Sequence, residues 1–256
     1  MISLNWLPET AYFYLLIFAR VGSILMLVPA LGETSIPARM RLSFALVLCL
    51  VLYPVVSSKL PPLATDMFAV LALVIHEIVI GLIIGSIARV SVMGTQIAGG
   101  AIASSAGLSV AQAADPTNGG AQGALIGAFL SMLGVTLIFA TDLHHVMLSA
   151  IADSYVIFTP KDPLMFGDTA QTIVETVAGA FVIGVQMSAP FIVFGLVFNL
   201  GMGILSRLMP QLQVFFIAMP ATVGVGLILM ALLLTMMMGL YLMHFEKVLG
   251  MLRGVV

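Results

Sequence analysis

Long apolar runs broken by a few polar turns organise the whole chain. The first runs from about Ala11 to Leu31, with Arg20 near its middle. A polar turn from Gly32 to Arg41, containing Pro37, separates it from a second run, Leu42 to Val56. That run stops at Ser57-Ser58-Lys59 and the helix-breaking Pro61-Pro62. The third, Met67 to Ala88, carries His76 and Glu77, and Arg89 either ends it or faces a polar partner. A helix needs about 20 apolar residues to cross the hydrocarbon core, so these runs predict membrane helices. Val90 to Val110 differs: it is rich in Gly, Ala and Ser, is only weakly hydrophobic, and contains Gln96, Gly99-Gly100 and Gly107. Ser109 to Gly123, holding Asp115-Pro116-Thr117-Asn118-Gly119-Gly120, has the composition of a loop. Leu125 to Ala140 is apolar again. Asp142 to Phe158 predicts a further helix closed by Thr159-Pro160, and Lys161 to Asp168 is a short polar connection.

The last two apolar blocks, Ile173–Leu205 and Leu212–Met243, are longer than a simple crossing. At 1.5 Å per residue each makes roughly 45–50 Å of helix, against a hydrocarbon core of about 30 Å. No Asp, Glu, Lys or Arg lies between Thr176 and Ser206, and after Arg207 none follows until Glu246. Each block contains a proline, Pro190 or Pro220, with Gly195, Gly201, Gly203, Gly224 and Gly226 nearby. Three forms fit: a strongly tilted helix, a kinked helix, or a hairpin that turns before crossing. Broken apolar backbone is tolerated where protein rather than lipid surrounds it. The pattern therefore predicts a chain embedded in a larger assembly.

Composition fixes the class. The chain is 61% hydrophobic and 8% charged, where soluble domains carry about 25% charged residues. Continuous apolar runs exclude the alternating segments of a membrane β-barrel. The fold class is all-α, a polytopic membrane protein. A net charge of −2 offers no basic surface for nucleic acid. The single Cys49 reads as a small buried hydrophobe, with no disulfide partner in the chain. The start lacks a basic n-region and carries Glu9, so the first apolar segment is expected to remain in the mature protein. Alternate connections carry only small numbers of Lys and Arg, so the positive-inside rule does not choose an orientation.

No catalytic motif, nucleotide loop or cofactor motif is present, so the chain is not expected to be an enzyme. His144-His145 beside Asp142 invites a metal, but adjacent helix residues point about 100° apart and the i, i+4 ligand spacing is missing. The pair reads as a helix-end or interfacial one, and no metal site is assigned. Arg20, Glu77 and Arg89 are more informative. A charge at a membrane helix centre costs about 2.5–3.5 kcal/mol on insertion scales, so such residues pair or face a polar cavity. Arg20 and Glu77 form a candidate pair between the first and third helices. Its role is a structural ion pair, a proton or ion relay, or a contact with another subunit. Gly81 and Gly85 make a GxxxG step, and Gly119, Gly123 and Gly127 make two more, which points to close helix packing. Met236-Met237-Met238, among 18 methionines, is either lipid-facing filler or a deformable seal. The segment after Gly107 is either a surface turn or a re-entrant element occupying a pore.

Several of these features recur together in one known family. Ala19-Arg20-Val21-Gly22 with Pro29 and Ile36-Pro37-Ala38-Arg39-Met40-Arg41 is similar to that family's start. His76-Glu77 with Gly81 and Gly85 is similar to its third segment. Ala98-Gly99, Gly107-Leu108-Ser109 and Asp115-Pro116 are similar to its centre, and Ser206-Arg207-Leu208-Met209-Pro210-Gln211-Leu212-Gln213-Val214-Phe215 to its most recognisable late motif. The chain thus resembles, over essentially its whole length, the FliR/SctT family of type III export-gate proteins. One departure is Gln213, where the family often has Asn.

The resemblance implies a pore subunit without enzymatic activity or cofactor. It would help conduct unfolded flagellar proteins across the bacterial inner membrane, at the flagellar basal body. It implies inclined helical hairpins and proline-broken long helices within a helical hetero-oligomer with FliP and FliQ, joined by FlhB and FlhA. It also implies a central plug, carried here to about Gly107–Gln122, with Gly107, Leu108, Ser109, Val110, Asp115, Pro116, Gly119 and Gly120 at its heart. Pro190, Arg207, Pro210, Gln211 and Pro220 would serve helix breaks or subunit contacts. The alternatives are a virulence-type secretion gate, a secondary transporter of a small solute, whose physics Arg20, Glu77 and broken helices also fit, and a scaffold that conducts nothing.

Overall fold

A computed structural model of the chain describes residues 7–33, 36–63, 66–107, 119–160, 166–209 and 214–252. Among the described residues there are seven α-helices, one 3-10 turn at Ser57–Lys59 and no strand. The helices are α1 (Leu7–Leu27), α2 (Ala38–Val56), α3 (Met67–Ser105), α4 (Gly119–Ala140), α5 (Leu143–Ile157), α6 (Phe166–Leu208) and α7 (Val214–Leu252). Five are long and apolar enough to cross a membrane, or up to six spans if the bent pair α4–α5 counts as one. The protein is an all-α, multi-pass membrane protein.

Several boundaries differ from the sequence reading, each for a physical reason. α2 starts at Ala38, four residues earlier than Leu42, because Pro37 stands at the N-cap with φ −55° and ψ 136°, where its missing N–H costs no helical bond. α3 does not stop at Ala88. It runs 39 residues to Ser105, because Arg89 finds an acidic partner and the Gly/Ala/Ser-rich stretch gains close packing that offsets its weak helix propensity. The expected loop over Ser109–Gly123 is shorter than that reading, since Gly119–Gly123 already belong to α4. α6 and α7 are each one helix, of 43 and 39 residues, running through Pro190 and Pro220. The hairpin alternative for these blocks is therefore overturned: one proline removes one backbone bond, and the flanking turns continue the helix.

The chain divides into two compact units. Unit 1 comprises residues 1–91, 138–177 and 245–256. Its core joins Leu16, Ile17 and Ile24 of α1, Cys49 and Val56 of α2, Ile80 of α3 and Tyr155 of α5, all buried. The Tyr14 hydroxyl donates to the Leu46 carbonyl at 2.6 Å, linking α1 to α2. Unit 2 comprises residues 92–137 and 178–244. Its core joins Ala98 and Ile102 of α3, Leu130 of α4, Met187 and Phe191 of α6, and Met237 and Tyr241 of α7. Within the methionine run, Met237 and Met238 are buried and Met236 is exposed, so most of that run is core rather than lipid-facing filler.

Candidate functional site

Two local arrangements hold the residues that the sequence singles out. The first lies in unit 1. Arg20 and Glu77 are both completely buried. Arg20 Nε donates to Glu77 Oε2 at 2.6 Å and Nη2 to Oε1 at 3.0 Å, a bidentate pair between α1 and α3. The same guanidinium donates through Nη1 to the Ser154 carbonyl at 2.9 Å and through Nη2 to the Phe158 carbonyl at 2.9 Å. Those carbonyls lie at the C-terminal end of α5, where a cation meets the negative end of the helix dipole and satisfies terminal acceptors. The guanidinium carbon also sits 4.0 Å from the centroid of the Tyr155 ring, close enough for a cation–π contact. One arginine thereby staples α1, α3 and α5. Its planar fork does what a lysine cannot.

Close backbone approach makes this geometry possible. A Cβ added to Gly81 would lie 2.5 Å from the Arg20 carbonyl oxygen, and one added to Gly85 would lie 2.8 Å from Leu27 Cβ. The GxxxG step thus seats α3 against α1 at the level of the ion pair. Further along α3, Arg89 Nη1 donates to Glu33 Oε1 at 2.7 Å. Both side chains are partly exposed, so this pair is worth only about 0.2–1 kcal/mol.

The second arrangement is a glycine-walled seam in unit 2 around the last turns of α3. Gly99 meets Gly127 of α4 backbone to backbone, and Thr95 Oγ1 and Ser131 Oγ share a 2.7 Å hydrogen bond on the same pair of helices. Gly94 lies against Ile183 of α6, and Gly195 of α6 against Ser105. Gly226 of α7 faces Ala106. Gly107, at φ +73°, closes α3 in the left-handed conformation that terminates helices and packs on Thr222 of α7. The end of α3 is thus gripped by α6 and α7.

The remaining sequence-selected residues are not gathered into either arrangement. Pro190 and Pro220 lie inside α6 and α7. Arg207 is exposed in the last turn of α6. Gly119 and Gly120 open α4. Leu108, Ser109, Val110, Asp115, Pro116, Pro210 and Gln211 lie outside the described residues. Sequence reasoning missed Ser154, Tyr155 and Phe158 as partners of Arg20, since two of those contacts use backbone carbonyls that no residue type signals. It also missed Glu33 as the partner of Arg89, although an isolated acid in the first polar turn was the available clue.

Known proteins share this sequence along nearly all of it. The sequence profile of "Bacterial export proteins, family 1" matches residues 11–248. The flagellar biosynthetic protein FliR of Caulobacter vibrioides is 46% identical, over 88% of this chain and 89% of that protein. FliR of Bacillus subtilis is 32% identical, over 85% of this chain and 84% of that protein. The Yop proteins translocation protein T of Yersinia pestis is more distant at 24% identity, over 88% and 87%. A match unbroken from the first helix through the last, and strongest to flagellar relatives, places this chain in the FliR family of bacterial export proteins.

Proposed function

We propose that this chain is a non-enzymatic, pore-forming subunit of the flagellar type III protein export gate in the bacterial inner membrane. It acts there with FliP- and FliQ-type subunits, with FlhB and FlhA attached, and passes unfolded flagellar proteins. One observation carries the multi-subunit part of this reading. Along the unit 2 part of α6, Phe181 is 56% exposed and Leu208 is 73% exposed, and that length of helix is about 40 Å. At the average tilt of about 20°, that stripe projects about 38 Å on the membrane normal, against about 30 Å of hydrocarbon. Lipid alone does not cover it, and sister subunits would. The flagellar assignment follows the closer similarity to FliR proteins than to the Yop relative. The transporter alternative loses its main support, because Arg20 and Glu77 are satisfied by each other and by two backbone carbonyls. No free charge is left there to bind a solute.

The segment from Gly107 to α4 is assigned as the pore plug, from the family resemblance and from the grip of unit 2 on its starting point. Deleting Ser109–Asn118, which leaves both α3 and α4 intact, should allow the gate to assemble but make cells leak ions. Conductance of the purified mutant gate in planar bilayers checks this, and an assembled gate as tight as wild type would refute the plug. Arg207, exposed at the end of α6, is assigned to a subunit contact. Arg207→Ala should lower the yield of co-purified gate complex without altering the melting temperature of the isolated chain. An undiminished yield would remove that role.

A further inference from the structure

The turn between α4 and α5 carries three side chains that export leaves unused. Asp142 sits there in the left-handed region at φ 59°, just ahead of the first residue of α5. Its carboxylate makes no capping hydrogen bond to the helix and instead lies 3.6 Å from His145 Nδ1 through Oδ1. The His144 ring packs 5.1 Å from the Phe139 ring and 4.1 Å from the His145 ring, centroid to centroid. His144 Nδ1 is enclosed and has no hydrogen-bond partner. One donor atom from each of Asp142, His144 and His145 lies within 4.8 Å of the other two.

Adjacent helical side chains point about 100° apart, and no i, i+4 ligand pair is present here. Two local features bear on this: Asp142 stands outside the helix in a left-handed turn, and the two imidazoles lie ring against ring rather than fanning apart. Zinc bonds to nitrogen and oxygen are about 2.0–2.2 Å, which makes a tetrahedral edge of about 3.4 Å. The Asp142–His145 gap already matches that edge. Both of those side chains are largely exposed, at 79% and 70%, and small rotations bring the third donor in. Two imidazoles and a carboxylate suit zinc, cobalt, nickel or copper better than magnesium or calcium, which prefer all-oxygen sites.

We propose that Asp142, His144 and His145 form a binding site for a divalent transition-metal ion of the zinc class, with the fourth position open to water. The ion ties the turn to the first turn of α5 and so replaces the missing side-chain cap. The positive end of the α5 dipole opposes a cation, and the Asp142 charge offsets it, so binding is moderate rather than tight.

The test uses the full-length chain without a histidine tag, purified in mild detergent, stripped with chelator and titrated with Co2+. One ion per chain with visible tetrahedral d–d bands is expected, and Zn2+ should displace it and raise the melting temperature. His144→Ala and His145→Gln should each weaken Co2+ binding about tenfold or more, with metal-free melting unchanged. Should His144→Ala fail to fold, His145→Gln at its exposed position decides. Absence of Co2+ uptake by the wild type, or equal uptake by His145→Gln, overturns the site.

Discussion

Replacing Arg20 with alanine is expected to abolish recovery of the folded chain, and with it assembly and swimming. The change removes four hydrogen bonds at 2.6–3.0 Å and the contact with Tyr155. It also leaves Glu77 as a buried carboxylate without its partner. Breaking one side of a buried ion pair costs about 3–5 kcal/mol, against a total stability of about 5–15 kcal/mol for typical domains. Arg20→Lys should restore little, since an ammonium lacks the fork that serves Glu77 and two carbonyls together. The double substitution Arg20→Met with Glu77→Leu should be milder than either Arg20 variant, because it leaves no lone charge. It still loses the donor to the part-buried Phe158 carbonyl, at about 1 kcal/mol for a typical hydrogen bond. The yield of monodisperse folded chain reads the alanine variant, and thermal unfolding in detergent reads the other two. A relay role predicts a different order: Arg20→Lys would fold and the double variant would fold, but both would lose export. That order would move this pair from scaffold to mechanism.

Features with a local signal were legible in the sequence, and features set by tertiary contact were not. Arg20 and Glu77 were legible because charges in apolar runs are rare, and each implies the other. Gly81 and Gly85 were legible because their spacing puts both on one helix face. The length of α3 was not, since Arg89 has the look of a helix end. Inside the helix Arg89 stays partly exposed and meets Glu33, a tertiary partner that local sequence does not announce. Pro190 and Pro220 left three forms open: proline is a strong local signal for a break, yet in a long apolar helix one missing N–H is tolerated and the helix continues. The seam was invisible for a different reason. With 24 glycines in the chain, composition alone gives no means to separate Gly99, which meets Gly127, from Gly100, where an added Cβ would meet nothing within 4 Å. The contacts of Arg20 with the Ser154 and Phe158 carbonyls leave no trace in sequence at all.

Gly99→Leu should disrupt unit 2, whereas Gly100→Leu, one residue away, should leave the isolated chain as stable as wild type. At Gly99 a Cβ would collide with the backbone of Gly127 and the carbonyl carbon of Ile126, and backbone has no rotamer through which to yield. α3 and α4 would have to separate, which breaks the Thr95–Ser131 hydrogen bond and opens the packing around Ala98 and Leu130. Overpacking typically costs about 1–3 kcal/mol where side chains can adjust. A backbone collision belongs at or above the top of that range. At Gly100 nothing lies within 4 Å of the added Cβ, and replacing a helical glycine recovers up to about 1 kcal/mol of helix propensity. Melting temperatures of the two variants in detergent separate these outcomes: equal losses would mean that α3 and α4 are not in contact at Gly99. Recovery of the whole gate adds a further discrimination. If Gly100→Leu folds normally but fails to enter the complex, the open face beside Gly100 is where a sister subunit seats, and the same small-residue stretch serves contacts within the chain on one side and between chains on the other.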